Sequence, residues 1–129
     1  MPLHRETVDA PGAPAAVGAY SHAVRAGELL FCSGQVALDP GSGELVGDTS
    51  ADQLRGCMDN LRAVCDAAGA SLDRAIRCTL YVVDLPGAWG EVNGAYGAYF
   101  PSDPPARVTF GVAALPKGAL VEVDAVVAL

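Results

Sequence analysis

Leu120-Val121-Glu122-Val123-Asp124-Ala125-Val126-Val127-Ala128 alternates with a period of two. Val121, Val123, Ala125 and Val127 fall on one side, and Leu120, Glu122, Asp124 and Val126 on the other. Successive side chains of an extended chain point to opposite faces, so this is a strand with one apolar and one mixed face. The same period runs through Leu29–Val36, Ile76–Val83 and Arg107–Ala113. Their apolar sets are Leu30, Cys32 and Val36, then Ile76, Cys78, Leu80 and Val82, then Val108, Phe110 and Val112. Their mixed sets are Phe31, Ser33 and Gln35, then Arg77, Thr79 and Tyr81, then Arg107 and Thr109. Two shorter segments are also expected to be extended: an edge strand over Leu3–Val8, and His22–Arg25 turning at Ala26-Gly27-Glu28 into Leu29.

Two stretches have helical spacing. From Ser50, with Gln53 completing a capping-box pattern, Leu54, Cys57, Met58, Leu61, Val64, Cys65 and Ala68 form one stripe, and Gly69 is a left-handed stop. A second helix is expected over Pro86–Tyr99, with Trp89, Val92, Tyr96 and Tyr99 or Phe100 on its apolar side and Pro101 ending it. Gly87, Gly90, Gly94 and Gly97 weaken it by roughly 1 kcal/mol each. Either another backbone approaches their side closely, or the helix is frayed and held by tertiary contacts. Each helix has one apolar stripe, so both are expected on the apolar face of the sheet, in a two-layer α+β sandwich. Two helices cannot cover the second face. With only 18% charged residues and a mean hydropathy of +0.30, a second subunit is the expected cover, in a dimer or trimer with sheet-lined interfaces.

The chain has 129 residues, the length of one domain spanning 1–129, and 51% of them are hydrophobic, which excludes disorder. Fifteen acidic against eight basic residues leave a net charge of −7. The cations form no stripe, so a phosphate backbone is not an expected partner. No uncharged run approaches the ~18 apolar residues of a spanning helix, so no membrane partner is expected. The stretch MPLHRETVD lacks the apolar core of a secretory leader, and a cytoplasmic location is expected. Cys32, Cys57, Cys65 and Cys78 have neither CxxC spacing nor a nearby histidine pair and read as small buried hydrophobes, so no metal is expected. The turn Asp39-Pro40-Gly41-Ser42-Gly43 lacks the GK[ST] ending of a phosphate-cradling loop.

Arg107, which opens its strand after Pro104-Pro105-Ala106, is the residue with most chemical content. A guanidinium among apolar neighbours needs an anion. One reading is a salt bridge to Glu122 or Asp124; the other is a bidentate clamp for a ligand carboxylate. Glu122, between two valines, reads equally as an interface ion pair or a catalytic acid. Ser33 and Gln35 share the mixed face, and Tyr20 and Ser21 lie in a loop able to line a pocket. His4 and His22 read as surface or loop residues.

Five runs carry a resemblance: Ala-Pro-Ala-Ala-Val-Gly-Ala-Tyr-Ser-His (13–22), Leu-Leu-Phe-Cys-Ser-Gly-Gln-Val (29–36), Val-Asn-Gly-Ala-Tyr-Gly-Ala-Tyr-Phe (92–100), Pro-Pro-Ala-Arg-Val-Thr (104–109) and Leu-Pro-Lys-Gly-Ala-Leu-Val-Glu-Val (115–123). In this order and over nearly the whole chain they resemble the RidA family, the YjgF-type reactive-intermediate deaminases once called L-PSP endoribonucleases. The resemblance implies a chorismate-mutase-like fold with a six-stranded mixed sheet and two helices on one face. It also implies a homotrimer with a sheet-lined central barrel and three clefts between subunits. It further implies cofactor-independent hydrolysis of 2-aminoacrylate- and 2-iminobutanoate-type imines or enamines to 2-oxo acids and ammonia.

By position, Arg107 matches the arginine that grips the substrate carboxylate, and Glu122 matches the acid near the attacking water. Tyr20, Ser33, Gly34 and Asn93 match residues at or near the cleft, and Thr109 stands where a cysteine is common. Ala19, His22 and Asp124 replace a common proline, glutamine and glutamate, which bears on the pocket rim. The alternative is a non-catalytic trimeric binding protein that senses a small carboxylate metabolite. A ribonuclease role sits poorly with the −7 charge.

Overall fold

The structure, a computed structural model, describes residues 2–129. Its elements follow the order β1 (Arg5–Val8), β2 (Ala23–Ala26), β3 (Leu29–Gln35), α1 (Ser50–Ala67), β4 (Ala75–Val83), α2 (Leu85–Gly97), β5 (Ala106–Val112) and β6 (Val121–Ala128). The six strands form one sheet in the order β1-β2-β3-β6-β4-β5, with β1 and β5 at its edges. All neighbours are antiparallel except β4 and β5, which α2 joins as a parallel crossover. The last strand is therefore central, between β3 and β4. Helix α1 packs on β3 and β6, α2 lies against β4 and β5, and the two helices touch. Both helices share one core with Leu30, Cys78, Leu80, Val82 and the four apolar residues of β6. This is the expected α+β architecture, with a mixed six-stranded sheet and both helices on one side.

The start of α1 differs in detail from its expected cap. Thr49, not Ser50, is the N-cap, and its hydroxyl accepts the Asp52 N–H at 3.1 Å. Gln53 is buried and does other work. Its Nε2 donates to Gly47 O at 3.0 Å, and its Oε1 accepts from Leu120 N at 2.8 Å, tying the helix to the entry of β6. The helix stops as expected at Gly69, whose φ is 71°. Gly69 N donates to Asp66 O and Ala70 N to Cys65 O, the paired bonds of a Schellman ending.

Three other expectations are corrected, and one of the two readings of the α2 glycines falls. β3 carries a bulge between Cys32 and Gln35, so Gln35, not Val36, pairs with Val123 and is buried on the helix side. A second irregularity between Ala75 and Arg77 turns Ile76 outward, leaving it 46% exposed. His22 is buried, not on the surface: its Nδ1 accepts from Ala10 N at 2.9 Å, and its Nε2 donates to Pro14 O at 2.8 Å. It thereby pins the N-terminal loop to the start of β2. Around Gly90, Gly94 and Gly97 of α2 the space a Cβ would occupy is open, so among the described residues no backbone approaches them closely.

All four cysteines are free and buried. Cys57 Sγ donates to Val121 O at 3.3 Å, and burial pushes its thiol pKa upward, which keeps it protonated and apolar in behaviour.

Close packing of α1 on the chain after β3 makes a test. A Cβ at Gly56 would lie 2.6 Å from Ala37 Cβ and 3.2 Å from Ala37 Cα, and backbone cannot yield as a side chain can. Alanine is favoured over glycine in a helix by about 1 kcal/mol, yet overpacking costs about 1–3 kcal/mol. Gly56→Ala should therefore lower the urea midpoint. An unchanged or raised midpoint would show that the Ala37 segment yields freely.

Candidate active site

The register of β5 decides where the site residues stand. Arg107 pairs with Cys78, Thr109 with Leu80 and Gly111 with Val82. Those β4 partners are buried against the helices, so Arg107 and Thr109 lie on the helix side. Val108 and Phe110, expected in the core, lie on the open side instead and are 39% and 52% exposed. Phe110 stacks on Tyr81 at 6.2 Å between ring centroids. Two features of the edge strand allow this inversion. A Cβ at Gly111 would lie a tight 3.3 Å from Leu85 Cβ, which glycine avoids, and α2 offers Arg107 an aromatic bed.

That bed is made by Trp89 and Tyr96. The Arg107 guanidinium carbon lies 5.0 Å from the Tyr96 ring centroid and 5.6 Å from that of Trp89, both within cation–π reach. Burial raises the Tyr96 hydroxyl well above its ordinary pKa, so the ring beneath the cation stays neutral. Arg107 makes no ion pair among the described residues. The salt bridge to Glu122 or Asp124 does not form, because the sheet stands between them. Arg107 and Asn93 line a cavity of about 310 Å³ with Tyr96, Gly97, Phe100, Pro104 and Pro105. Thr109 is further along the same strand face, its hydroxyl buried without a partner.

Glu122 faces the open side, in one row with Tyr81 and Phe110. With Tyr20, Ser33 and Gly34 it lines a second cavity of about 250 Å³. The loop and β3 are held in place locally. Ser33 Oγ donates to Ser21 O at 2.6 Å, and Tyr20 OH accepts from Val17 N at 3.1 Å. Gly34 makes room for the acid: a Cβ there would sit 2.9 Å from Glu122 Cδ. The two neighbouring acids have different employment. Asp124 accepts from Thr79 N at 3.1 Å and from Tyr81 OH at 3.3 Å, whereas the Glu122 carboxylate makes no hydrogen bond among the described residues. Burial first, and the Asp124 charge second, raise the Glu122 pKa above the ordinary carboxylate range. A carboxylate so placed is a stronger base than a solvated one.

The structure thus collects the expected site residues into two groups, one on each side of the sheet. Asn93, Arg107 and Thr109 form the first; Tyr20, Ser33, Gly34 and Glu122 form the second. It does not bring the groups together within one chain. The aromatic support of Arg107 was missed as part of the site, although its signal is visible: Trp89, Asn93 and Tyr96 recur at i, i+4 and i+7 on one helical stripe. A larger cavity of about 560 Å³, between α1 and the Asp39 turn, holds none of these residues. Among the described residues no three His, Cys, Asp or Glu side chains gather to hold a metal ion, and no helix is long and apolar enough to cross a membrane.

Comparison with known proteins places this geometry. Residues 10–129 match the family model described as Endoribonuclease L-PSP. The chain is 44% identical over 126 residues to Protein DfrA of Myxococcus xanthus, covering 96% of this chain and 95% of that one. It is 38% identical over 122 residues to the 2-iminobutanoate/2-iminopropanoate deaminase of Rattus norvegicus, covering 95% and 88%. Its fold superposes on the crystal structure of E. coli TdcF with bound serine at a TM-score of 0.89 and 31% identity, covering 96% and 98%. With the family model matching residues 10–129 and these relatives covering nearly the whole chain, the chain belongs to the RidA/YjgF family of L-PSP-type proteins.

Proposed function

We propose that the protein is a cofactor-independent deaminase that hydrolyses 2-imino and 2-enamino acids to 2-oxo acids and ammonia, in clefts shared between subunits of a homotrimer. The observation that carries this reading is Arg107, a cation within reach of two aromatic rings and lining a cavity, with no carboxylate among the described residues paired to it. Relatives named imine deaminases and a TdcF structure with bound serine, itself a small carboxylate, support the ligand class.

The chemistry asks little of such a site. The planar fork of Arg107 grips the carboxylate through two N–H donors, and Asn93 lines the same cavity. A protonated imine is electrophilic at C2. Glu122 accepts a proton from water as its oxygen bonds to C2, giving a tetrahedral carbinolamine. Glu122 returns that proton to the nitrogen, which departs as ammonia while C2–O becomes a carbonyl. The hydroxyl proton passes by way of Glu122 to the ammonia, so protonated imine and water yield 2-oxo acid and ammonium. Tyr20 and Ser33 border the water side of the cleft. No step calls for a metal or an organic cofactor. The four buried free thiols suit a reducing compartment, and the reading takes the protein as cytoplasmic.

The sheet keeps Arg107 and Glu122 of one chain apart, so a working cleft needs Arg107 from one subunit and Glu122 from the next. Phe31 on β3 and Val108 and Phe110 on β5 are large apolar side chains left exposed on the open face, which such an assembly covers.

Three outcomes are expected. Arg107→Lys should lose most of its affinity for 2-oxo acids, while Glu122→Gln binds them nearly normally and loses about 10²–10⁴-fold in turnover. Coexpressed, the two variants should recover activity in about a quarter of the clefts, because only a shared cleft pairs an intact Arg107 with an intact Glu122. Mixed trimers as inert as the parents would rule out shared clefts, and wild-type binding without turnover would leave a binding protein. Activity should also survive exhaustive chelation; loss with EDTA and rescue by a divalent ion would count against the mechanism.

A Cβ at Gly34 meets the flexible end of Glu122, so Gly34→Ala should displace the acid at little cost in melting temperature yet lower kcat by about 10–100-fold. The raised pKa of Glu122 sets the pH response. As pH falls through it the base is lost, so the acid limb of kcat/KM should lie above the ordinary glutamate value of about 4.3. Asp124→Asn removes a charge that raises that pKa and should move the limb to lower pH; a fixed limb would exclude Glu122 as the titrating group.

A further inference from the structure

We infer that the substrates of this chain carry a bulky apolar or aromatic side chain rather than the one or two carbons of the smallest imines, an inference that rests on the deaminase reading above. Beyond Arg107, the walls of the 310 Å³ cavity are Tyr96, Phe100, Pro104 and Pro105, with Asn93 the other polar side chain. A carboxylate gripped by the outward N–H groups of Arg107 leaves the rest of a 2-imino acid to lie along this wall. The Trp89 and Tyr96 rings lie within cation–π reach of the guanidinium carbon and occupy space around it, which leaves the carboxylate the remaining side, toward the cavity. A methyl or ethyl group covers little of the apolar surface and leaves it wet, whereas an isobutyl or benzyl group displaces that water.

Gly97 is what keeps the space open. It lines the cavity on the α2 side and has nothing within 4 Å of a built Cβ. Phe100 is packed against Tyr96 at 5.2 Å between centroids, which holds the aromatic wall in place. Specificity therefore resides in a cavity that combines a residue without a side chain at 97 with two rings and two prolines.

The test generates imines in situ with an amino-acid oxidase from alanine, 2-aminobutyrate, leucine and phenylalanine, and follows the residual imine by semicarbazide trapping. The leucine- and phenylalanine-derived imines should have kcat/KM at least about tenfold above the alanine-derived one, in line with what one or more pocket methylenes discriminate. In Gly97→Val the ratio of phenylalanine- to alanine-derived kcat/KM should fall by about tenfold or more. Equal or reversed preferences in the wild type, or an unmoved ratio in a folded Gly97→Val, would overturn the inference and leave the deaminase reading standing. If no imine is hydrolysed above its spontaneous rate, the deaminase reading fails, and titration of the wild type with 2-oxo acids decides the pocket separately. Phenylpyruvate binding about tenfold tighter than pyruvate upholds it, and equal affinities overturn it. That titration also decides the matter if Gly97→Val does not fold, with Gly97→Ala as the milder variant.

Discussion

The parallel register of β5 on β4 is the constraint on which the site depends. It places Arg107 in the row of Cys78, beneath α2, and by parity sends Val108 and Phe110 to the other side. A shift of one residue would exchange the two sets, putting a guanidinium on the open sheet and two large apolar groups against the helix. Arg107 is tolerated on the helix side because the Trp89 and Tyr96 rings lie within cation–π reach of it and because β5 is an edge strand. The same register makes the sheet a wall between cation and acid.

From that wall follows the division of labour. On the helix side the environment is aromatic and apolar, suited to orienting a carboxylate and shaping the space beside it. On the open side Glu122 is left without a hydrogen bond, while Asp124 is occupied by Thr79 and Tyr81. Two acids two residues apart on one strand face thus have different fates: one is part of the ladder's polar bonding, the other is raised in pKa and free to exchange a proton. Gly34 belongs to this division, since it supplies space, not a functional group.

The rest of the fold serves to hold these two half-sites rigid. Gln53 ties the start of α1 to the entry of β6, and Asn60 donates to Val36 O and Leu38 O, fixing the chain after the β3 bulge. His22 fastens the loop that leads to Tyr20, with both ring nitrogens engaged by backbone. Each is a buried polar group fully used by main-chain partners, which is how a polar side chain is accommodated inside a small core.

Much of this was legible from residues alone. Period two in 120–128 marked β6 and its buried face, because a central antiparallel strand is packed uniformly along its length. Helical spacing marked α1, and Gly69 its end, because both depend on local backbone geometry. The resemblance of the Pro104–Thr109 and Leu115–Val123 runs pointed to Arg107, Glu122 and the family. What the sequence did not reveal was which side β5 presents. Alternation separates two faces without naming them, and the usual rule that the apolar set faces the core fails on an edge strand whose open face is apolar as well. The bulges at Cys32–Gln35 and Ala75–Arg77 were hidden for a related reason: an extra residue shifts parity without altering composition. The elements, their order and the chemical candidates can be read along the chain, because they rest on local periodicity and residue type. That Arg107 and Glu122 stand on opposite sides of the sheet emerges in three dimensions alone, because register is set by pairing between strands distant in the chain.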